Sequence, residues 1–216
     1  MIVRGVLALT LLVPLFTACG NGGESPNGSP ATGAASGRAA SPGLTAGLSP
    51  QQEVFWDRLQ ALCGRAFQGR ILLAPPDDPW WSAERVVMHV RECHEDEIRI
   101  PLHIDENRSR TWVVTRTDSG LRLKHDHRLA DGSPDETNTQ YGGDTVLPGS
   151  IWRQEFPADA YSVDAVPGRE SQLWYLEIRP GDAFAYGLRR EATGLRYHLE
   201  FDVMDPVEAP PPPWGG

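Results

Sequence analysis

Glu97-Ile-Arg-Ile-Pro-Leu-His-Ile104, Arg110-Thr-Trp-Val-Val-Thr-Arg-Thr117 and Leu121-Arg-Leu-Lys-His-Asp-His127 decide the fold, because apolar and polar residues alternate through each of them. A period of two marks a strand with one face buried and the other wet. Outward from these segments the same rhythm recurs at 85–92, 150–156, 173–179, 183–190 and 195–203, with a first strand at 67–73, about nine in all. Asp118-Ser119-Gly120, Asp131-Gly132, Pro180-Gly181-Asp182 and Thr193-Gly194 separate them with hairpin chemistry. One helix precedes the strands. Ser49-Pro50-Gln51-Gln52-Glu53 supplies a cap, a first-turn proline and an early acid, and Val54, Phe55, Leu59 and Leu62 follow at helical spacing as far as Gly64. No strand alternates with a helix, as a parallel sheet would require. Residues 51–206 are therefore expected to be mainly β, a single antiparallel up-and-down β-barrel with one N-terminal α-helix at one end.

The composition narrows the partners. In 216 residues, 20 Lys+Arg face 29 Asp+Glu, a net charge of −9, which disfavours nucleic acid and anionic lipid surfaces. The 22 Gly and 19 Pro place much of the chain in linker and turn. Residues 1–18 combine a cationic start at Arg4 with an apolar run from Gly5 to Phe16, short of the ~20 residues of a membrane span and suited to an export signal. From Gly20 to Pro50 the chain is almost entirely small and polar and cannot bury a core, so 19–50 reads as a tether with a root-mean-square span of roughly 30 Å. Residues 207–216, with Pro210 to Pro213 before Trp214, read as a Pro-rich tail, a frayed terminus.

Cys63, at the helix end, and Cys93, at a strand end, are the thiols left in an exported domain once Cys19 is set aside, and they are expected to form a disulfide. A rival reading joins Cys93 and His94 with His89 in a metal site, without the paired spacing of structural zinc motifs.

If Leu121 and Leu123 point inward, His125 and His127 follow them at the strand end, while Arg122, Lys124, Asp126 and Arg128 face solvent. Two histidines on one face can share a metal, grip an anion, or hydrogen-bond to carboxylates and carbonyls at a barrel rim. A third metal ligand is missing from the local sequence: of the possible donors His103, His198, Asp131 and Asp144, the two histidines fall on outward faces. Trp112, Trp152, Trp174 and Tyr186, with Phe156, Phe184, Tyr197 and Phe201, fall mostly on strand faces expected to turn inward. Trp112, His125, His127, Trp152, Trp174 and Tyr186 are the candidate ligand-binding residues; the alternative is a filled core. Trp80-Trp81, in a loop, can cover the barrel mouth or meet a partner. Asp131 to Glu136 resembles a calcium loop in composition alone, and Gly142-Gly143-Asp144 reads as a turn. Motifs of serine hydrolases, zinc proteases, dinucleotide enzymes and phosphate-loop proteins are missing, and no cofactor is expected. An acid pair such as Glu155 and Glu177, with Arg153 and Arg179 beside it, could still meet inside a barrel.

Leu15-Phe16-Thr17-Ala18-Cys19 resembles the lipobox of bacterial lipoproteins, which implies lipidation of Cys19 and a membrane anchor. Gly20 after the Cys implies an outer-membrane address facing the periplasm. Cleavage of an ordinary signal peptide near Ala18, giving a secreted protein, is the other reading. Phe55-Trp-Asp-Arg-Leu-Gln-Ala-Leu-Cys-Gly64, Ile98-Arg-Ile-Pro101, Ser109-Arg-Thr-Trp112, Leu123-Lys-His-Asp-His-Arg128 and Tyr141-Gly-Gly-Asp-Thr145 are similar to a group of uncharacterised bacterial secreted proteins, a resemblance covering most of 55–203 that implies placement and no chemistry. The expected barrel also resembles lipocalin-like bacterial lipoproteins of the calycin type, which implies a small apolar ligand. The resulting expectation is a lipid-anchored envelope protein that binds a small or apolar ligand and performs no chemistry. The alternatives are an interaction module without a cavity, using Trp80, Trp81 or the tail, and a metal-assisted hydrolase using His125 and His127.

Overall fold

The computed structural model describes residues 47–165, 168–191 and 194–216. Cys19, the signal segment and most of the tether lie outside them. Among the described residues no helix is long and apolar enough to cross a membrane.

The helix forms as the sequence predicts. Pro50–Gln60 (α1) begins at Ser49, whose hydroxyl accepts from the Gln52 backbone while the Gln52 side chain reaches back to the Ser49 backbone, a reciprocal cap worth about 1 kcal/mol. Its buried face carries Phe55, Trp56 and Leu59, each at most 1% exposed, into one end of the sheet. Gln52 also donates to the Thr145 hydroxyl at 2.9 Å, which fixes the helix against the strand ends there.

Eleven strands make the sheet: Ala66–Leu73 (β1), Val86–His89 (β2), Glu92–Cys93 (β3), Glu97–Ile104 (β4), Asn107–Thr117 (β5), Gly120–His127 (β6), Tyr141–Asp144 (β7), Arg153–Pro157 (β8), Gln172–Arg179 (β9), Ala183–Arg190 (β10) and Gly194–Val207 (β11). All pairings are antiparallel. The order is β7-β6-β5-β4-β2-β1-β11-β10-β9-β8, with β3 beside β4. Each strand therefore lies next to its sequence neighbour, and β1 joins the first half to the last by pairing with β11. The result is a nearly closed, barrel-shaped sheet open between β7 and β8.

That opening is managed by an unexpected element. Ala160–Ala165 (α2) begins at Asp159, and its Ser162 hydroxyl accepts from Gly142 N at 2.7 Å and lies 2.9 Å from Gly142 O. Asp159 N donates to the same carbonyl at 2.9 Å. The Gly142 backbone groups, which would be orphaned at a sheet edge, are satisfied by the turn into α2. Lys124 pairs with the Asp159 carboxylate across the same place.

Three other departures have local causes. The expected strand 85–92 is split because Val90 exchanges backbone bonds with Gly64 and Arg65, at 2.7 and 3.0 Å, and leaves the ladder. Gly142 and Gly143 are strand rather than turn. The tail is laid along the barrel instead of fraying: β11 continues to Val207, Trp214 N donates to Arg108 O at 3.1 Å, and Arg108 donates to Pro212 O at 3.1 Å.

Cys63 and Cys93 form the disulfide and tie the end of α1 to β3. With the two cysteines 30 positions apart in sequence, replacing both with Ser is expected to cost about 3–4 kcal/mol by restoring chain entropy to the unfolded state. Chemical denaturation of the oxidised protein and the double variant checks this.

Candidate functional site

Strand alternation, followed to the end of the barrel opposite α1, builds one concave site. On β5 Trp112 points inward and Arg110 follows in the same phase. On β6 the inward positions are Leu121, Leu123, His125 and His127. On β10 they are Phe184, Tyr186, Leu188 and then Arg190. Near α1 the interior is filled, with Trp112 lying between Tyr186 (ring centroids 4.4 Å apart) and Phe184 (6.2 Å). Beyond that layer the packing stops, leaving a cavity of about 260 Å³. Its floor is Trp112, Trp174, Tyr186 and His125, each at most 6% exposed. Its half-buried rim includes Trp80, Tyr141, Tyr197, Arg110, Arg169 and Arg190.

The short 3₁₀ turn Pro79–Ser82 brings Trp80 over the opening. Trp80 packs against Tyr197 with centroids 5.2 Å apart, and the Arg110 guanidinium lies 4.8 Å from its ring. Asp78, the single carboxylate lining the cavity among the described residues, is occupied by its own loop: one oxygen accepts from Trp80 N at 2.9 Å and the other from the Tyr197 hydroxyl at 2.5 Å.

The hydrogen-bond partners fix the tautomers of both histidines. His125 Nδ1 lies 3.1 Å from the Tyr141 carbonyl, which can only accept, so Nδ1 carries the proton and the Tyr186 hydroxyl donates to Nε2 at 2.9 Å. Arg169 donates to Asn138 Oδ1 at 3.4 Å, which orients that amide to donate to His127 Nδ1 at 3.3 Å. His127 Nε2–H then donates to the Tyr141 hydroxyl at 3.1 Å. Burial, the largest influence, lowers the His125 pKa to about 3 and the His127 pKa to about 4, with Arg110 adding to the effect on His127. Both rings are neutral at pH 7. Burial likewise pushes the Tyr141 hydroxyl up to about 12.

The site thus brings together Trp112, His125, His127, Trp174 and Tyr186 and leaves out Trp152. Trp152 is 45% exposed, because the β8 ladder begins one residue later and the ring lies flat beneath Arg58, 3.8 Å from the guanidinium. Trp80 covers the mouth as its loop position suggests. The side chain of Trp81 lies outside the described residues.

Other candidates are placed elsewhere. Glu155 and Glu177 are on the outer face, where Arg153 bridges them at 2.9 and 3.6 Å and Arg179 meets Glu177 at 2.7 Å, so they sit in surface salt bridges and not as an acid pair inside the barrel. Asp126 points away from the cavity but is 5% exposed rather than solvated, held by Arg99 at 2.6 Å and Arg128 at 2.9 Å. His103, also on an outward phase, is 5% exposed. Cys93, committed to the disulfide, is unavailable to His89 and His94. Asp131 is taken up by Ser133 in a turn. Among the described residues no three His, Cys, Asp or Glu side chains are grouped to hold a metal.

Arg110 and Arg190 were missed although the signal was present: each extends an inward-facing phase by one step, a charge where the pattern demands an apolar residue. Arg169, in the loop before β9, has no such signal. No family model, curated protein or solved structure matches the chain.

Proposed function

We propose that this chain is a lipid-anchored cell-envelope protein whose barrel holds a small organic ligand at the end opposite α1 and does no chemistry on it. The barrel-shaped sheet is compatible with ligand binding, and the supporting observation is the aromatic-floored cavity beneath Trp80. At about 260 Å³ it falls just below the ~300–1,000 Å³ of sites for drug-sized molecules, which suits a ligand of one or two rings. The hydrolase alternative finds little support. Both ring nitrogens of His125 and of His127 are engaged within the protein, and their depressed pKa values make them weak bases. The anchor rests on the lipobox-like Leu15 to Cys19 and the tether behind it, with Gly20 favouring the outer membrane.

Mass spectrometry of the protein purified from its own envelope tests both parts. Denatured protein is expected to begin at an acylated Cys19, and native protein to carry a non-covalent adduct of small-molecule mass. Trp80→Ala, which removes the rim ring and leaves the buried floor, is expected to reduce adduct occupancy about tenfold or more, as loss of a well-packed aromatic contact does. An unmodified N-terminus removes the anchor, and bare native protein removes the ligand.

A further inference from the structure

Arg110, Arg169 and Arg190 reach one cavity from three separate segments. Among the described residues, no acidic oxygen lies within the 4.0 Å of an ion pair from any of them. Elsewhere on the barrel wall Arg99, Arg122, Arg153 and Arg179 have such partners, whereas Arg108, outside the cavity, bonds to the Pro212 carbonyl instead. The three rim arginines are held by neutral groups instead. Arg110 donates to Ser109 Oγ at 3.1 Å beside Trp80, and Arg169 lies 4.6 Å from the Tyr141 ring centroid. With the Gln172 amide turned to present its oxygen, Arg190 donates to it from Nε at 3.0 Å and Nη2 at 2.8 Å. Asp78 makes no ion pair with any of them, its oxygens accepting from Trp80 N and the Tyr197 hydroxyl, and its one negative charge leaves the three cations in excess at the rim.

Half-buried guanidiniums fixed by stacking and amide contacts, with donors left over, are preorganised for a planar anion, which they bind through paired charge-assisted hydrogen bonds. From this juxtaposition we infer that the ligand is an organic anion, a carboxylate on an aromatic or conjugated body, with its acid group among Arg110, Arg169 and Arg190 and its rings against Trp80, Trp112 and Trp174. The inference rests on the binding reading above and adds the charge of the ligand. The two neutral histidines neither repel a carboxylate nor supply the charge that holds it. Specificity therefore falls to the arginines.

The test compares 2-naphthoate with 2-naphthamide, nearly the same shape without the charge, by calorimetry on the intact protein near neutral pH and low salt. The acid is expected to bind about tenfold or more tightly than the amide, and the advantage to shrink as salt rises. Arg110→Gln, Arg169→Gln and Arg190→Gln, each confirmed folded by circular dichroism, are expected to lower the affinity for the acid about fivefold or more and to leave that for the amide within about twofold. Equal affinity for acid and amide overturns the anion inference and leaves a neutral ligand in the same cavity. Binding of neither compound overturns the inference and the binding reading together.

Discussion

Moving the protein from pH 7 to pH 5 is expected to lower its unfolding free energy by about 6 kcal/mol, a large part of the total stability of a domain of this kind. The cause lies in His103, His125 and His127, whose pKa values burial lowers to about 4, about 3 and about 4. In the unfolded chain each recovers a value near 6.5. Between these limits the unfolded state binds protons that the folded state refuses, so stability rises with pH across the interval and falls as the solution is acidified. At pH 5 each histidine accounts for about 2 kcal/mol. His89 and His198, also lowered by burial, act in the same direction. Asp159 and Glu200 do not offset the trend in this window: their lowered pKa values give stability that is lost only near and below about pH 4. Urea denaturation at pH 7, 6 and 5 measures the slope. His127→Gln keeps a polar side chain beside Tyr141 and removes the proton, so it is expected to recover about 2 kcal/mol of the loss at pH 5. Identical midpoints at pH 7 and 5 would show that the histidines stay accessible to protons in the folded protein.

The interior placement of those histidines is where the sequence is most informative. Leu121, Leu123, His125 and His127 share one face of an eight-residue strand, and a strand with one buried side admits a single phase. The same argument reaches Trp112, Trp174 and Tyr186. It fails at Trp152 because period two holds only where a ladder exists, and the pairing of β8 begins at Arg153. It fails also for the depth of Asp126 and His103. Alternation gives the side of the sheet, whereas burial on the outer side depends on what crosses it. Asp126 is covered by arginines and lies with Trp214 along one surface cleft, a proximity no local pattern predicts. Gly142 to Asp144 reads as a turn for a sound local reason, since paired glycines are poor strand formers. Their place in the sheet is set by neighbours distant in sequence.

Those glycines carry the second large effect. A Cβ on Gly143 would lie 1.7 Å from the Pro157 carbonyl oxygen, and a Cβ on Gly142 would lie 1.9 Å from the Leu123 carbonyl oxygen. Both obstacles are backbone atoms, so neither can turn aside as a side chain would. Strand β7 can therefore sit between β6 and the end of β8 only if it has no side chains at these positions. Gly143→Ala is expected to destabilise the protein by about 3 kcal/mol or more, through overpacking that requires the two strands to separate. Separation would pull Gly142 from Ser162 and Asp159 and shift the adjoining Tyr141, whose ring stacks on His125 at 4.3 Å. Ligand affinity is therefore expected to fall together with stability. Gly168→Ala is the control. Gly168 has a φ of +86° and nothing within 4 Å of its would-be Cβ, so that substitution carries left-handed backbone strain alone, about 1–2 kcal/mol, and leaves the cavity's aromatic walls in place. Equal losses in the two variants, measured by denaturant midpoint, would mean that the β7–β8 opening gives way freely, and the close approach of these strands could not then be what holds Tyr141 against His125.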